Sequence, residues 1–295
     1  MRVLLTGATG FIGRYVVHQL EAEGVDVVTV GRTVGSPTGQ HVQEDLLSTT
    51  DYSKIIEAAR STHLIHLAWF AEHGKYWSSP LNVDWVKATV GLIDAFCRAG
   101  GEHVTVAGTC AEYDWGCGYC TEDLTQSNPS TIYGAAKDAT RRICSEICSQ
   151  YGVPIAWGRI FFPYGKGEPV TRLIPSLVAV FEGKRPPFGL SKNSYRDFLH
   201  VIDVADALVM LSRRQAKGCI NISSGEATQL RELVCLLAEM SSVSPAGVLD
   251  LPPSRLGEPK LLIGSNDRLC SFGWKKKIDL KQGLKDFYIE MKEHD

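Results

Sequence analysis

The chain has 295 residues, a formal net charge of −2 and a hydrophobic content of 44%, with a pI near 6.5 and a mean hydropathy of −0.05. This length can bury a large core in one domain or two closely joined ones, and the near-neutral charge gives no reason to expect nucleic acid or a membrane surface as partner. No apolar run reaches the ~18–20 residues of a membrane span, and the first ten residues predict a strand and a turn rather than a signal peptide, so we expect a cytoplasmic protein.

Short apolar runs alternate with stretches of helical periodicity through the first half of the chain. Strands are predicted at 2–7, 25–32, 63–69, 102–109 and 153–162, and helices at 11–24, 81–100 and 131–152. Strands that are apolar throughout and alternate with helices are typical of a parallel sheet covered on both faces. We therefore predict an α/β fold with a Rossmann-like, doubly wound parallel sheet.

The regular alternation of predicted strands and helices becomes weaker after Pro163. Two stretches rich in Gly and Pro flank a helix predicted near 170–182, one more sheet strand is predicted at 219–225, and the tail is mainly helical. We predict a dinucleotide-binding domain and a small, mainly helical C-terminal substrate lobe. The predicted bounds are 1–163 plus 195–222 for the domain and 164–194 plus 223–295 for the lobe.

Nine cysteines are scattered through both halves of the chain. Cys117 and Cys120 form the only C-x-x-C pair, and no second pair and no histidine pair stands at the spacing of zinc ligands. We therefore predict no metal site and expect reduced thiols, as in a cytosolic protein.

Three glycines, Gly7, Gly10 and Gly13, lie between the first predicted strand and the first predicted helix. Glycine permits the tight turn and the close approach of a pyrophosphate, and the helix N-terminus presents free N–H groups to it. In this context the pattern predicts a dinucleotide site, with Phe11 and Ile12 among its contacts. A turn that serves only helix–strand packing is the alternative.

The end of the second strand carries information about the cofactor. NAD enzymes usually have an acid there to accept the ribose 2′-OH, but this chain has Gly31 followed by Arg32. Arg32 would neutralise a 2′-phosphate, so NADP(H) is favoured over NAD, with a solvated arginine as the alternative. Asp45, followed by Leu46, is a candidate adenine contact, and a carboxylate that caps a loop is its alternative.

Tyr133 stands four residues before Lys137, a spacing that places both side chains on one face of a helix. The same spacing recurs at Tyr288 and Lys292. The pair alone therefore decides nothing, and its meaning depends on the segments around it.

With the glycine turn and Tyr133/Lys137 in register, the chain resembles the extended short-chain dehydrogenase/reductase superfamily. More narrowly, it is similar to the nucleotide-sugar epimerases, dehydratases and 4-ketoreductases. The other matching elements are HLAW (66–69), Asn82 at the start of the long helix, GTCAEYD (108–114), YRDFLHVIDVADAL (195–208) and SRLGEPK (254–260). They follow one another in the family's order, whereas the second Tyr/Lys pair has no matching context.

The resemblance implies a catalytic role for three side chains. Tyr133 would act as general acid/base on a sugar hydroxyl or carbonyl, Lys137 would lower the tyrosine pKa and bind the nicotinamide ribose, and Thr109 would donate to the same sugar oxygen. Further cofactor contacts are implied for Leu67, Ala68 and Asn82.

The resemblance also implies contacts with a nucleotide-diphosphate sugar. Arg196 and Arg255 would meet the diphosphate and Glu258 the nucleotide ribose. Cys110 and Glu112, beside the catalytic strand end, are further candidates. For Glu112 a surface carboxylate is the alternative to a contact with a sugar hydroxyl.

Two segments bear on the sugar itself. Phe162 stands where the family often has Asn, which suggests a sugar with fewer hydroxyls, such as a 6-deoxyhexose, or a simple packing residue. In the stretch WFAEHGKYW (69–77), His73 and the aromatic residues are candidates for the wall of the sugar site. Packing of the loop by Trp69, Tyr76 and Trp77 is the alternative.

Cys110 and Ala111 argue against dehydratase activity, because they stand where the resembling 4,6-dehydratases have an Asp-Glu pair. The first prediction is an NADPH-dependent 4-ketoreductase acting on a nucleotide-linked 4-keto-6-deoxyhexose, and the alternative is a 4-epimerase with tightly bound NAD. A non-catalytic NADP-binding protein is a remote third possibility. Analogy with dimeric relatives predicts a homodimer through the helices at 81–100 and 131–152.

Overall fold

The computed structural model describes residues 1–33, 39–254 and 257–293. Its strands are β1 (Arg2–Thr6), β2 (Asp26–Gly31), β3 (Gln40–Gln43), β4 (His63–His66), β5 (His103–Thr109), β6 (Tyr119–Cys120), β7 (Ile155–Ile160), β8 (Phe162–Tyr164), β9 (Tyr195–Arg196), β10 (Phe198–His200), β11 (Gly218–Ile222), β12 (Thr228–Gln229) and β13 (Leu261–Gly264). Its helices are α1 (Phe11–Ala22), α2 (Ser53–Ala59), α3 (Leu81–Arg98), α4 (Ile132–Gln150), α5 (Leu173–Phe181), α6 (Val201–Arg213), α7 (Leu230–Met240), α8 (Ala246–Leu249), α9 (Asp267–Ser271) and α10 (Leu280–Glu293).

The central sheet has seven strands in the order β11-β7-β5-β4-β1-β2-β3, and every neighbouring pair is parallel. Side chains alternate between its two faces. Val3 and Leu5 pack into the core under α1 and α6, while Leu4 packs into the core under α2, α3 and α4. The predicted α/β fold with a doubly wound parallel sheet is confirmed.

The carboxyl ends of β1, β4 and β5 lie side by side, because these three strands are neighbours in one parallel sheet. The register pairs Thr6 with His66 and His66 with Val106. The glycine turn, the segment after β4 and Thr109 at the end of β5 therefore open on the same edge, which is where open parallel sheets bind ligands.

Beyond this sheet, short strands form a two-stranded sheet (β10-β8) and a four-stranded one (β12-β9-β13-β6). Helices α5, α7, α8 and α10 surround a separate apolar core that contains Leu177, Leu233, Leu237 and Leu284. The predicted bounds of the two parts stay a prediction. Within the described ranges, no helix is both long and apolar enough to cross a membrane.

Asp197, between β9 and β10, connects these parts. Its side chain has no exposed surface. One carboxylate oxygen accepts hydrogen bonds from the backbone N–H and the hydroxyl of Ser224, both at 2.7 Å. The other accepts from the N–H groups of Gly225 and Gly264 at 3.1 and 3.2 Å. One buried carboxylate thus satisfies backbone donors from the end of β11 and from β13.

Replacing Asp197 with Ala is expected to lower the free energy of unfolding by about 3 kcal/mol or more, since the buried N–H groups of Ser224 and Gly264 and the buried Ser224 hydroxyl lose their acceptor. Urea unfolding followed by circular dichroism measures this. Asp94→Asn, which breaks an exposed pair with Arg98, is the control and should cost less than about 0.5 kcal/mol. Equal effects of the two substitutions would contradict the role given to Asp197.

Candidate active site

The glycine turn is held by close backbone packing. Gly7 has φ +73°, and a Cβ placed on it would lie 2.8 Å from the backbone nitrogen of Ala68. A Cβ on Gly13 would lie 2.0 Å from the carbonyl oxygen of Gly7. No side chain caps the N-terminus of α1. The turn therefore leaves a cradle beside free helix N–H groups, which fits the pyrophosphate of a dinucleotide.

A buried chain of hydrogen bonds fixes the segment that faces this turn. The Thr6 hydroxyl accepts from the N–H groups of Leu67 and Ala68, both at 3.1 Å, so its own proton goes to His66 Nδ1 at 2.8 Å. His66 Nε2 then donates to the Thr89 hydroxyl at 2.9 Å. Burial lowers the pKa of His66 to about 3, which agrees with the neutral ring that this pattern requires.

At the adenosine end, Arg32 is exposed at the end of β2, beside residues 34–38, which lie outside the described residues. Asp45 uses one carboxylate oxygen to accept from the backbone N–H of Leu47 at 3.1 Å, so it caps its loop as the alternative interpretation expected. Leu46 is buried in the core. Contacts of Arg32, Asp45 and Leu46 with the cofactor stay predictions.

Tyr133 is brought to Thr109 by the approach of α4 to the end of β5. The Thr131 hydroxyl caps α4 by accepting from the N–H of Gly134 at 3.1 Å. A Cβ on Gly134 would lie 2.2 Å from the carbonyl oxygen of Ala111, so only glycine allows this approach. Tyr133, in the first turn of the helix, is thereby close enough to the Thr109 side chain for Thr109 to act on the pKa of its hydroxyl.

Burial acts on the two titratable groups of this site in opposite senses. Burial and the neighbouring Tyr76 raise the pKa of Tyr133, and the hydrogen bond with Thr109 opposes them. Burial lowers the pKa of Lys137 to about 7. The Lys137 ammonium donates to the carbonyl oxygen of Ala107 at 2.8 Å and lies 3.9 Å from the ring centre of Trp69. Both contacts favour its charged form.

The Tyr288/Lys292 pair has a different setting. It lies on α10, where Tyr288 is buried in the separate apolar core that also contains Leu284 and its hydroxyl donates to Glu182. Lys292 also pairs with Glu182, at 3.6 Å. This second pair thus serves packing and surface charge.

The aromatic loop after β4 covers Tyr133. The ring centres of Tyr76 and Trp77 lie 4.7 and 5.7 Å from that of Tyr133, edge to face, and Trp115 lies 5.9 Å beyond Trp77. His73, Tyr76 and Trp77 also line the adjacent cavity. These side chains therefore pack the loop and wall the cavity at once.

Asn82 anchors this loop instead of facing the cofactor site as expected. It is fully buried. Its amide nitrogen donates to the carbonyl oxygens of Tyr76 and Ser79 at 2.7 and 2.9 Å, and its oxygen accepts from the Trp69 indole at 2.9 Å. The direct cofactor contact is thus replaced by a structural role.

A cavity of about 600 Å³ extends from this aromatic wall to residues of the second apolar core. Thr109, Cys110 and Phe162 line it near Tyr133, at what we call the catalytic end, and Arg196 and Glu258 line it as well. The Arg196 guanidinium lies 5.8 Å from the ring centre of Phe162. Burial raises the pKa of the Cys110 thiol, so that group is neutral. The structure places these predicted substrate residues on one cavity, and their individual contacts stay predictions.

Arg196 and Glu258 contribute charged groups to this cavity. The Arg196 guanidinium donates to the carbonyl oxygens of Tyr195 and Pro259, both at 2.8 Å, and pairs with Glu258 at 3.3 Å. Arg255, the other predicted diphosphate contact, lies outside the described residues.

Several cavity residues were missed from the sequence: Trp115, Glu168, Arg172, Arg185, Phe188 and Leu190. Most of them come from the stretch rich in Gly and Pro between β8 and β9, where no spacing pattern marks a side chain that turns inward. Glu168 is buried and pairs with Arg172 at 3.1 Å, which a Glu four residues before an Arg would have allowed one to predict.

Glu112 is neither a sugar contact nor a surface carboxylate. It has no exposed surface, and its two oxygens accept from the N–H of Thr109, the Trp157 indole and the Arg159 guanidinium, each at 2.8 Å. It lies behind the catalytic strand end, and both interpretations offered by the sequence are therefore wrong.

The nine cysteines are free thiols, with Cys117 exposed and Cys120 buried. In the part of the chain that the structure describes, no group of three or more His, Cys, Asp or Glu side chains could hold a metal ion.

The shifted pKa of Lys137 predicts how stability depends on pH in the ligand-free protein. Between pH 7 and its ordinary value of 10.5 the unfolded chain binds more protons at this lysine than the folded one does. The free energy of unfolding should therefore rise with pH relative to that of Lys137→Met, by at most ~1.4 kcal/mol per pH unit. Urea titrations between about pH 7 and pH 9.5 measure this, with the exposed Lys54→Met as control. Parallel curves for wild type and Lys137→Met would contradict the shift.

Comparison with known proteins agrees with this geometry. The chain is 28% identical over 314 aligned positions to UDP-glucose 4-epimerase of Azospirillum brasilense, covering 96% of this chain and 89% of that protein. It is 27% identical to UDP-glucose 4-epimerase 2 of Oryza sativa subsp. japonica, with coverage of 96% and 80%. A solved structure described as MoeE5 in complex with UDP-glucose and NAD superimposes with a TM-score of 0.86 at 26% identity, covering 100% of this chain and 99% of that one.

The match to a whole family is the broadest of these findings. Residues 3–223 match the NAD dependent epimerase/dehydratase family, which is about three quarters of the chain and includes the glycine turn, Thr109, Tyr133 and Lys137. The resemblance stated from the motifs is confirmed, and the chain belongs to the NAD dependent epimerase/dehydratase family.

Proposed function

We propose that the protein is a 4-epimerase of a nucleotide-diphosphate sugar that keeps NAD bound. The observation that carries the proposal is the cavity that joins Thr109, in contact with Tyr133, to the Arg196/Glu258 pair. The relatives named as UDP-glucose 4-epimerases and the NAD in the MoeE5 complex support the epimerase. They favour the alternative over the 4-ketoreductase that the sequence suggested first.

The side chains at the catalytic end suit proton transfer at a sugar C4 oxygen. Tyr133, as tyrosinate, removes the C4 hydroxyl proton, and Thr109 holds that oxygen by a hydrogen bond. Nicotinamide, with its dinucleotide held at the glycine turn, would supply the acceptor and later the donor of the C4 hydride. After the sugar has turned, Tyr133 returns its proton to the C4 oxygen. The Lys137 ammonium favours the tyrosinate in both steps.

The aromatic side chains of the cavity are compatible with the rotation of the keto sugar that epimerisation requires. Tyr76, Trp77, Trp115 and Phe162 offer rings at the catalytic end of the cavity. Ring faces pack against a sugar without fixing its hydroxyls in one direction, whereas buried polar groups would select one orientation. A 4-keto sugar held by its diphosphate can therefore present either face.

A second candidate is the NADPH-dependent 4-ketoreductase, and the end of β2 is the observation that favours it. Gly31 and Arg32 stand there without an acid, and Arg32 is exposed, as a partner for a 2′-phosphate must be. Phe162 in the cavity wall also suits a 6-deoxyhexose, which has one hydroxyl fewer.

We also propose a homodimer formed through α3 and α4, which pack against each other. Several apolar side chains of these two helices are exposed, namely Leu81, Val83, Ile132 and Ile143. A second copy of the same pair of helices would cover such residues by self-complementary packing.

The purified protein is expected to carry NAD and to interconvert UDP-glucose and UDP-galactose without added reductant. Tyr133→Phe should lower kcat by ~10²–10⁴, because it removes the acid/base, while bound NAD is retained. Tyr288→Phe, at the same spacing on α10, is the matched control and should leave kcat unchanged. Nucleotide analysis of the denatured protein and chromatography of the sugar products provide the measurements.

Different outcomes separate the other candidates. Reduction of a nucleotide-linked 4-keto-6-deoxyhexose with exchangeable NADPH, without epimerisation, would replace the epimerase by the 4-ketoreductase. Tight binding of a nicotinamide dinucleotide without turnover of any nucleotide sugar would support the non-catalytic protein.

Arg32 allows a separate test of cofactor preference. If the epimerase proposal is right, Arg32→Ala should change the Kd of NADH and of NADPH by similar small factors, measured by fluorescence titration. If Arg32 neutralises a 2′-phosphate, the Kd of NADPH alone should rise by about 10–100-fold, the equivalent of one charge-assisted hydrogen bond. Arg231→Ala, an exposed arginine on α7, is the control.

A further inference from the structure

Glu112 forms a reciprocal pair of hydrogen bonds with Thr109. Its Oε1 accepts from the Thr109 backbone N–H at 2.8 Å, while the Thr109 hydroxyl accepts from the N–H of Ala111 at 3.2 Å. This is a capping box on the short 3₁₀ turn that follows β5. The bond from Ala111 uses one of the two lone pairs of the threonine hydroxyl, and the hydroxyl proton is not needed for it.

The carboxylate is itself held from β7. Trp157 and Arg159 lie two residues apart on that strand, so both side chains reach the same face. Trp157 donates to Oε1 and Arg159 to Oε2, each at 2.8 Å, and Arg141 on α4 lies 3.9 Å from Oε2. Three donors and a guanidinium surround a carboxylate that has no exposed surface, so it is held as an anion in one place.

The backbone beside Glu112 leaves room for this arrangement. A Cβ on Gly108 would lie 2.2 Å from the Trp157 indole nitrogen and 2.8 Å from Glu112 Oε1. The space next to the catalytic residue is thus occupied by the carboxylate and the indole. No residue larger than glycine fits at position 108, because the close packing of Trp157 and Glu112 leaves no free volume there.

We propose that Glu112 is a positioning residue that sets the Thr109 hydroxyl against the substrate oxygen. It acts through the Thr109 backbone and does not touch the substrate. The inference rests on the proposed function, because it concerns the oxygen that Thr109 and Tyr133 share. A displacement of a reacting group by about 1 Å can cost on the order of 10²-fold in rate. A carboxylate that fixes the position of Thr109 therefore affects kcat without touching the substrate.

The test compares two variants that differ in the acceptor at the position of Oε1, which serves the Thr109 N–H and the Trp157 indole. Glu112→Gln with Arg159→Met keeps that acceptor, and Glu112→Leu with Arg159→Met removes it. Both remove the buried charge pair as a whole, which proteins often tolerate. The leucine variant should have a kcat about 10–100-fold below that of the glutamine variant, with KM for the nucleotide sugar within about twofold and the bound nicotinamide retained.

Each variant is then combined with Thr109→Val to give a double-mutant cycle. If Glu112 acts through Thr109, the difference in kcat between the two variants disappears when the threonine hydroxyl is gone. A difference that persists in the Thr109→Val background would overturn the proposal, since it would show a general structural effect.

Hydrogen exchange of the Thr109 amide gives a readout that does not depend on turnover. This amide should exchange faster in the leucine variant than in the glutamine variant, and equal rates would overturn the proposal. If the wild-type protein turns over no nucleotide sugar, the proposed function fails while this comparison still tests the hydrogen bond. If the leucine variant does not fold, Glu112→Asp shortens the side chain and keeps its charge, and its loss of kcat must likewise vanish with Thr109→Val.

Discussion

The approach of helix α4 to the end of strand β5 is the contact on which the site depends. Gly134 meets the carbonyl oxygen of Ala111 so closely that a single methyl group would force the two elements apart. Tyr133 and Lys137 lie on the helix, and Thr109 lies on the strand. A shift of the helix would therefore separate the Tyr133 hydroxyl from the Thr109 hydroxyl. The relative positions of these three side chains therefore depend on the close packing of the two backbones.

Burial then gives the site its electrostatic character. In the ligand-free protein the Tyr133 hydroxyl is held neutral, and the Lys137 ammonium keeps its proton less readily than a lysine in water. An anionic dinucleotide on the glycine turn would favour the charged lysine, and the charged lysine would favour the tyrosinate. In the proposed function, cofactor binding and activation of the tyrosine would thus be linked through the charge of Lys137.

Elements defined by short spacings could be predicted from the sequence, and partners that come from distant strands could not. The glycine turn and the doubly wound parallel sheet follow from local patterns and from the rules of parallel sheets, and the meeting of Thr109 with Tyr133 was implied by the family resemblance. Glu112 was misjudged because its partners, Trp157 and Arg159, come about 45 residues later. Asn82 was assigned to the cofactor because its helix start matched the family, whereas the aromatic loop that it anchors matches no such pattern.

His66 is buried, and both of its ring nitrogens form hydrogen bonds inside the core. Thr6 and Thr89 fix its tautomer, and burial keeps its pKa far below the cellular range. The ring therefore works as an uncharged spacer of fixed length between the cofactor turn and helix α3. This ring therefore adds no charge beneath the glycine turn in mildly acidic or in alkaline solution, and a response of the protein to pH in that range has to arise from other groups.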